Sequence, residues 1–338
     1  MQNTIRSQAA PYCKCCHSEG VYLYQSLQDR LFGAEGKWNI KQCNNKQCGL
    51  LWLDPMPLPE DIHKAYQNYY THSSQPVTKQ SVMTKLVAGY KASKYDFMVQ
   101  NTTLMERLFG RAIGLLGFFK EYMDYPFAYF KDMPKGRLLE LGSGSGDTLK
   151  LFKDWGWQVE GLDFDAKAVE NASRKGLLVH RGDIFAQAFS DNSFDAIFSS
   201  HVFEHVPDPD AFLNESFRVL KPGGYFVSVM PNSASKLHQL FKSNWRELDP
   251  PRHLHIFTSS ALTNMVKMTN FKKFDISTGN YSAAGVYLMS KAIEKYGKTD
   301  MTSHSSSRYF AHLVRFYLNA THCFSPLSGE ELILIAQK

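Results

Sequence analysis

Leu138-Leu139-Glu140-Leu141-Gly142-Ser143-Gly144-Ser145-Gly146-Asp147-Thr148 is the stretch that decides how this 338-residue chain folds. An aliphatic run carrying a carboxylate passes directly into three alternating glycines, and a helical pattern follows. That order of strand, glycine turn and helix lets backbone amides approach a ligand closely, because glycine has no Cβ to hold it off. The dinucleotide fingerprint would need its third glycine at position 147, where Asp147 stands, and no Gly-Lys-Ser or Gly-Lys-Thr follows as a phosphate loop requires. Glu140 suits a ligand with an ammonium group, and the helix N-terminus can accept a carboxylate.

From Gly136 onward, aliphatic and β-branched runs alternate with helical patterns, the signature of a parallel sheet flanked by helices. The expected strands are Arg137 to Leu141, Gln158 to Asp163, Leu177 to Arg181, Phe194 to Ser199, Tyr225 to Met230, Lys273 to Thr278 and Glu331 to Gln337. Asp208-Pro209 starts a helix with Phe212, Leu213, Phe217 and Leu220 on one face, and Lys221-Pro222-Gly223-Gly224 is expected to end it. Asp163 closes the second strand, at about the distance where such folds place the acid that holds ribose hydroxyls, and Asp183 follows the third. One ligand with an amino-acid end, a ribose and an adenine would use all three acids. The fold class is α/β: a Rossmann-like, seven-stranded, mostly parallel sheet with flanking helices, a small N-terminal zinc ribbon and a helical cover.

On these motifs residues 137–279 resemble a class I S-adenosylmethionine-dependent methyltransferase. The resemblance implies that Glu140, Gly142, Gly144 and Gly146 cradle the methionyl moiety and that Asp163 binds the ribose diol. It further implies that Phe164 flanks the adenine, that Asp183 and Ile184 meet its amine and ring, and that Ser199 and Ser200 close the site.

A sulfonium methyl is already electrophilic, so the protein must chiefly align an acceptor and exclude water. A hydroxyl or carbon acid also needs a base, and His205, Glu204 and His201 stand just beyond the fourth strand, at the edge where open α/β sheets bind ligands. The bland reading of Glu204 and His205 is that they cap and brace the next helix. His253 and His255 in Asp249-Pro250-Pro251-Arg252-His253-Leu254-His255 read as structural histidines flanking the cleft. Over nearly its whole length the chain is similar to bacterial sugar and small-molecule methyltransferases. In the nucleotide-sugar C-methyltransferases among them a Glu-His pair matching Glu204 and His205 lies in the active site, and N-terminal tyrosines reach over it; this chain carries the motif Tyr66-Gln67-Asn68-Tyr69-Tyr70. This chain departs from them at Val202, where they carry tyrosine, in a wider second cysteine pair, and in lacking their extra C-terminal domain.

Five of the six cysteines lie between positions 13 and 48. Cys13 and Cys16 form one knuckle-like pair and, after 26 residues, Cys43 and Cys48 form another, a set of four thiolates for a structural zinc. Cys15 would face away. Val21 to Tyr24 and Trp38 to Ile40 supply the short β-runs of a zinc ribbon, and the proline-marked exit ending at Pro59 closes it. The expected organisation is a zinc-ribbon-like module over 1–59, a helical linker or cover over 60–133, and the methyltransferase domain over 134–338 with an insertion at 280–329. Ser303 to Ser307 reads as a polar loop.

Composition narrows the rest. With 43% apolar and 21% charged residues, disordered and fibrous classes are excluded. The net charge of +6 is spread without a basic block, so no nucleic-acid partner is expected, although an RNA methyltransferase and a non-catalytic cofactor-binding module are the competing classes. The longest apolar stretch, Ile113 to Phe119, is too short to cross a bilayer, and reduced clustered cysteines fit a cytoplasmic location. Residues 104–119 place Glu106, Arg107, Gly110, Arg111, Gly114 and Gly117 on one stripe and leave a broad apolar face. That face either packs on the catalytic domain as a substrate cover or inserts shallowly into a membrane to reach a lipid-linked substrate. Phe310 to Phe324 has the same two readings. The acceptor class is a small molecule, sugar or lipid-linked glycan.

Overall fold

The computed structural model describes residues 4–67, 82–95, 102–115, 117–299, 305–322 and 324–338. Tyr69, Tyr70 and Cys323 lie outside them. In chain order the elements are β1 (Ser7–Gln8), β2 (Gly20–Leu27), β3 (Trp38–Cys43), β4 (Leu51–Leu53) and β5 (Met56–Pro57), then the helices α1 (Val82–Lys94), α2 (Leu104–Gly114) and α3 (Gly117–Asp124). Alternation follows: β6 (Arg137–Leu141), α4 (Asp147–Asp154), β7 (Gln158–Asp163), α5 (Ala166–Arg174), β8 (Val179–Arg181), β9 (Phe194–Ser200), α6 (Pro209–Val219) and β10 (Leu220–Pro231). The chain continues through α7 (Lys236–Phe241), β11 (His255–Ile256), α8 (Ser259–Lys267), β12 (Lys273–Gly279), α9 (Ala283–Tyr296), α10 (Ser305–His322) and β13 (Glu331–Gln337).

All seven expected strands join one sheet in the order β12-β13-β10-β9-β6-β7-β8. The pairs β6–β7 and β7–β8 run parallel, and β12–β13 runs antiparallel. Three departures from expectation have a local cause. β8 starts at Val179, not Leu177, because Gly176 turns with φ +72° and the Leu177 amide is still tied to the Ala172 carbonyl at the end of α5. Helix α6 stops at Val219, and Lys221 to Gly224, expected as a helix-ending turn, is extended within β10. Gly223 donates to the Lys338 carbonyl and Lys338 donates back to Gly224, so strand pairing claims that segment. Ser305 to Ser307, expected as loop, opens α10.

Contacts divide the chain into two compact units: Met1–Tyr70 with Ser199–Phe217 and Ser228–Gln337, and Thr71–Phe198 with Arg218–Val227 and Lys338. These units cut across the boundaries expected at 59 and 133. In the second unit, Phe130, Phe152 and Phe198 meet edge to face with centroids 4.9, 5.6 and 5.5 Å apart, and all three are buried. Each such phenylalanine contributes about 1.5–3 kcal/mol by leaving water.

Helices α1 and α2 of that unit pack through glycine. A Cβ on Gly110 would lie 2.5 Å from the Tyr90 nitrogen, and one on Gly89 would lie 2.1 Å from the Glu106 carbonyl oxygen. The glycine stripe is therefore the buried face of α2. Its apolar face, expected in one reading to pack on the catalytic domain, is exposed instead: Leu104, Met105, Leu108, Phe109 and the following Leu115 are each more than half accessible.

In the first unit the N-terminal strands form the sheet β11-β4-β3-β2. The strand that completes it comes from 200 residues further on, with His255 opposite Trp52 and Ile256 opposite Leu51. On β3 Trp38 and Ile40 are buried on one face, and β4, held between β3 and β11, is wholly buried. No helix of the described residues is long and apolar enough to cross a membrane.

Candidate functional site

The glycine turn after β6 hangs on the end of β7. The Ser143 amide donates to the Leu162 carbonyl (3.0 Å) and the Gly144 amide to Asp163 Oδ2 (2.8 Å). Gly142, Gly144 and Gly146 have φ of +67°, +52° and +79°, which glycine adopts without strain, and Gly146 caps α4. A Cβ on Gly144 would meet nothing within 4 Å, so the backbone there faces open space.

Asp163, read from the sequence as a ribose ligand, first serves the protein: its Oδ1 also accepts from the Asp165 amide at 2.9 Å. Each carboxylate oxygen has two lone pairs, so both can still take a hydroxyl. Burial raises its pKa above the ordinary carboxylate value. Glu140 is 4% exposed and its Oε2 has no hydrogen-bond partner. Burial first, then the charges of Asp163 and Asp147, hold its pKa well above the usual range. A buried acid beside two others, short of a counter-ion, has the chemistry of a site for a cationic ligand. Phe164 is half-exposed at the start of the next turn. Asp183 is exposed and accepts from the Ala186 amide at 2.8 Å, while Ile184 is buried. The residues present therefore fit a bound S-adenosylmethionine at Glu140, the glycines and Asp163.

Ser199 and Ser200 end β9; Ser199 is fully buried and its Oγ is without a hydrogen bond. Just beyond, His201 turns the chain with φ +53° while its amide donates to the Val229 carbonyl (2.8 Å). Its ring lies between two carboxylates, with Nδ1 3.4 Å from Glu204 Oε1 and Nε2 3.2 Å from Glu331 Oε1. Burial opposes the charged ring, but Glu204 and Glu331 outweigh it and lift the pKa well above its ordinary value. The ring of His201, third among the expected catalytic residues, is thus placed as a counter-ion to Glu204 and Glu331.

Glu204 is completely buried, and neither carboxylate oxygen has a well-formed hydrogen bond. Desolvation works against its charge, yet His201, His205 and His253 bring its pKa down to about 2. His205 Nδ1 lies 3.0 Å from the Arg252 carbonyl and 3.0 Å from the Tyr66 hydroxyl. A carbonyl only accepts, so Nδ1 carries the proton and Nε2 is the bare lone pair. His253 is held the same way, Nδ1 donating to the Glu247 carbonyl at 2.7 Å, which leaves Nε2 3.9 Å from Glu204 Oε1. Burial, then the neighbouring His205, keeps His253 neutral, its pKa well below the ordinary value. The two rings stand edge to face at 4.7 Å. His253, read from the sequence as a flanking structural group, thus belongs to the cluster, whereas His255 sits in the β11–β4 pairing and its pKa falls to about 4 through burial. Glu204, His205 and His253 offer ligand atoms within 4.8 Å of one another, but the His201 imidazolium already supplies the positive charge a cation would bring.

Sequence reading overlooked the scaffold of this cluster. Arg252 is fully buried and its guanidinium donates to Asp29 (2.7 and 2.8 Å), to Asp249 (2.5 to 3.1 Å) and to the Ala65 carbonyl (2.9 Å). The Leu254 amide donates to the Glu204 carbonyl (2.8 Å), and so the Arg252 loop is seated against the η-turn of Phe203–His205. The Pro-Pro-Arg-His run was the only signal.

The four expected zinc ligands come together: Cys13 Sγ is 3.6 Å from Cys48 Sγ, Cys16 Sγ is 3.4 Å from Cys43 Sγ, and all four lie within 4.8 Å. Cys15 does not face away as expected. It is buried, and hydrogen bonds from its S–H to Cys13 and Cys48 together with burial raise its pKa, so it stays a thiol beside the cluster. Four converging sulfurs fit a tetrahedral thiophilic cation.

A mostly parallel seven-stranded sheet, a glycine turn after its first strand and an uncompensated acid beneath that turn define the class: the chain carries a class I S-adenosylmethionine-dependent methyltransferase domain. Residues 118–275 match the family described as a methyltransferase domain. Among curated relatives, a Mycolicibacterium smegmatis protein named "Probable S-adenosylmethionine-dependent methyltransferase" is 28% identical over 151 residues, 44% of this chain and 56% of that one. The ubiquinone biosynthesis O-methyltransferase of Paramagnetospirillum magneticum is 36% identical over 104 residues, 29% of this chain and 42% of that one. The chain therefore spans about half the length of these relatives. Among solved structures, a Thermotoga maritima SAM-dependent methyltransferase aligns with a TM-score of 0.45 at 18% identity, covering 68% of this chain and 94% of that one.

Proposed function

We propose that the protein transfers the methyl group of S-adenosylmethionine to an oxygen or an acidic carbon of a small-molecule or glycan acceptor. The observation that carries this reading is the wholly buried carboxylate of Glu204, paired with His201 but without a well-formed hydrogen bond, beside two imidazoles whose Nδ1 protons are fixed on carbonyls. Glu140 meets the cofactor's ammonium, the amides from Gly142 to Gly146 and the start of α4 hold its carboxylate, and Asp163 takes the ribose hydroxyls. Phe164, Asp183 and Ile184 serve the adenine, and Ser199 with Ser200 closes the site. The cofactor supplies an electrophilic methyl group on a positively charged sulfur.

His205 is the base: its Nε2 takes the acceptor proton, Tyr66 and the Arg252 carbonyl hold the tautomer, and Glu204 stabilises the imidazolium that results. His201 keeps Glu204 charged. A polar hydroxyl that donates to Glu204 is rewarded by satisfying a buried acceptor, which favours hydroxylated acceptors such as sugars and phenols. In this reading residues 134–338 carry the transfer chemistry. The ribbon over 1–59, with zinc on Cys13, Cys16, Cys43 and Cys48, braces the base through Asp29, and the cover of 60–133 contributes Tyr66. We take the reaction to be cytoplasmic, a reading that clustered cysteines suit better than a scattered disulfide framework would.

The test is incubation of the protein with methyl-labelled cofactor and host small molecules and glycolipids, beside the variants H205Q and E204Q. Label should enter a hydroxylated small molecule or glycan, and both variants should lose about 10²–10⁴-fold in rate while still binding cofactor. Label confined to RNA, or variants with wild-type rates, would overturn the proposal.

A further inference from the structure

We propose that the α1–α2 hairpin docks the protein on an anionic lipid surface through the outward face of α2. An amphipathic helix of a water-soluble protein ordinarily turns its apolar face inward. Here the order is reversed. Gly89, Gly110 and Gly114 let α1 and α2 approach so closely that the glycine stripe is the buried side, and Tyr90 fills the space beside Gly114. Leu104, Met105, Leu108, Phe109 and Leu115 are left in water. They form one contiguous apolar side, which a capping box of Thr103 and Glu106 starts cleanly.

Charge selects the occupant. Lys85, Arg107, Arg111 and Lys120 of the hairpin and the adjoining α3 are exposed. The acids there are taken or half-buried: Glu106 closes the capping box, Asp124 accepts from Lys94, Tyr90 and Tyr95, and Glu121 is of intermediate exposure. Arg107 and Arg111 flank the apolar side of α2 at helical spacing, the pattern of a helix lying in the interface with cations at headgroup level. A second copy docking face to face would set Arg107 and Arg111 against their own mates, which argues against self-association. The partner is a bilayer rich in anionic headgroups, whatever the acceptor of the methyl group.

Flotation of the full chain with vesicles tests this without cofactor or acceptor, so its outcome is separate from that of the activity assay. The protein should float with vesicles of phosphatidylcholine mixed with phosphatidylglycerol, less so in high salt, and only weakly with phosphatidylcholine alone. R107Q/R111Q should lower partitioning by roughly 30-fold, two cations at about fivefold each. L108E should abolish it, and both variants should unfold at the wild-type temperature because these side chains are exposed. Failure of the wild type to float, equal flotation with both lipids, or unchanged flotation of the variants would overturn the proposal. So would light scattering that shows a dimer dissociated by L108E.

Discussion

Replacing Arg252 by methionine keeps an unbranched apolar stem and removes the guanidinium with its charge, and the structure sets what that costs. Arg252 is 0% exposed, and so is the Asp29 side chain, while Asp249 is 1% exposed. The substitution leaves two buried carboxylates without a cation and the Ala65 carbonyl without its donor. Breaking a buried ion pair from one side costs about 3–5 kcal/mol. Protonating one of the stranded acids is the escape, and from an ordinary pKa near 4 it costs about 4 kcal/mol at pH 7. The two routes agree on a loss of about 4 kcal/mol. Urea unfolding followed by the fluorescence of Trp52 and Trp245, both buried in the same unit, measures it.

The sign with pH follows. In R252M the stranded carboxylates have raised pKa values in the folded state, so the folded protein binds more protons than the unfolded one and the deficit shrinks as pH falls from 7 towards 5. R252M/D29N/D249N should recover most of the loss, and Arg252→Lys should fall between, since an ammonium cannot serve two carboxylates and a carbonyl with a planar fork. A deficit below about 1 kcal/mol, or one unchanged between pH 7 and 5, would show that the buried clamp does not hold the loop of His253 as argued.

Burial and the charge of Asp163 push the Glu140 pKa up, and a bound ammonium would bring it down again, so cofactor binding should release protons. Affinity then rises with pH, calorimetry in buffers of different ionisation heat should show proton release, and E140Q should abolish it. The two glycines of the turn should separate by phenotype. A Cβ on Gly146 lies 2.5 Å from Leu177 Cδ1, whereas one on Gly144 meets only open space. Both alanines strain a positive-φ backbone, so both should lower stability, G146A by more because of its clash, and G144A should also weaken cofactor affinity, as thermal unfolding and calorimetry would show. Cys16→Ser or a strong chelator should release about one zinc per chain and lower the unfolding temperature of the unit containing Trp52, read by elemental analysis and fluorescence.

How far the site was legible depended on how local its logic is. Glu140, the three glycines and Asp163 belong to strand ends, and a strand that runs into a glycine turn states its geometry within a dozen residues. The cysteine pairs were equally plain, although Cys15 was misjudged, because two residues of spacing do not reveal how tightly the next turn wraps. His205 and Glu204 were found by their place after β9. Their roles were not, since the tautomer of His205 depends on the carbonyl of Arg252 and the charge of Glu204 on His201, His205 and His253. His201 was ranked as a base for the same reason: Glu331, which holds its proton, lies 130 residues away.

Periodicity and punctuation alone therefore determined the strands, the α/β class, the glycine turn and the two cysteine pairs, because each is set by neighbours along the chain. Tertiary structure decided which way amphipathic faces turn, which strand completes the N-terminal sheet, and which buried charges share a proton. The face of α2 shows why. Hydropathy marks an apolar side, but whether it is covered depends on what else competes for the interface, and here glycines gave α1 a closer fit than leucines could. The ion pairs of Arg252 with Asp29 and of His201 with Glu331 follow the same physics, since each joins groups that only folding brings within reach.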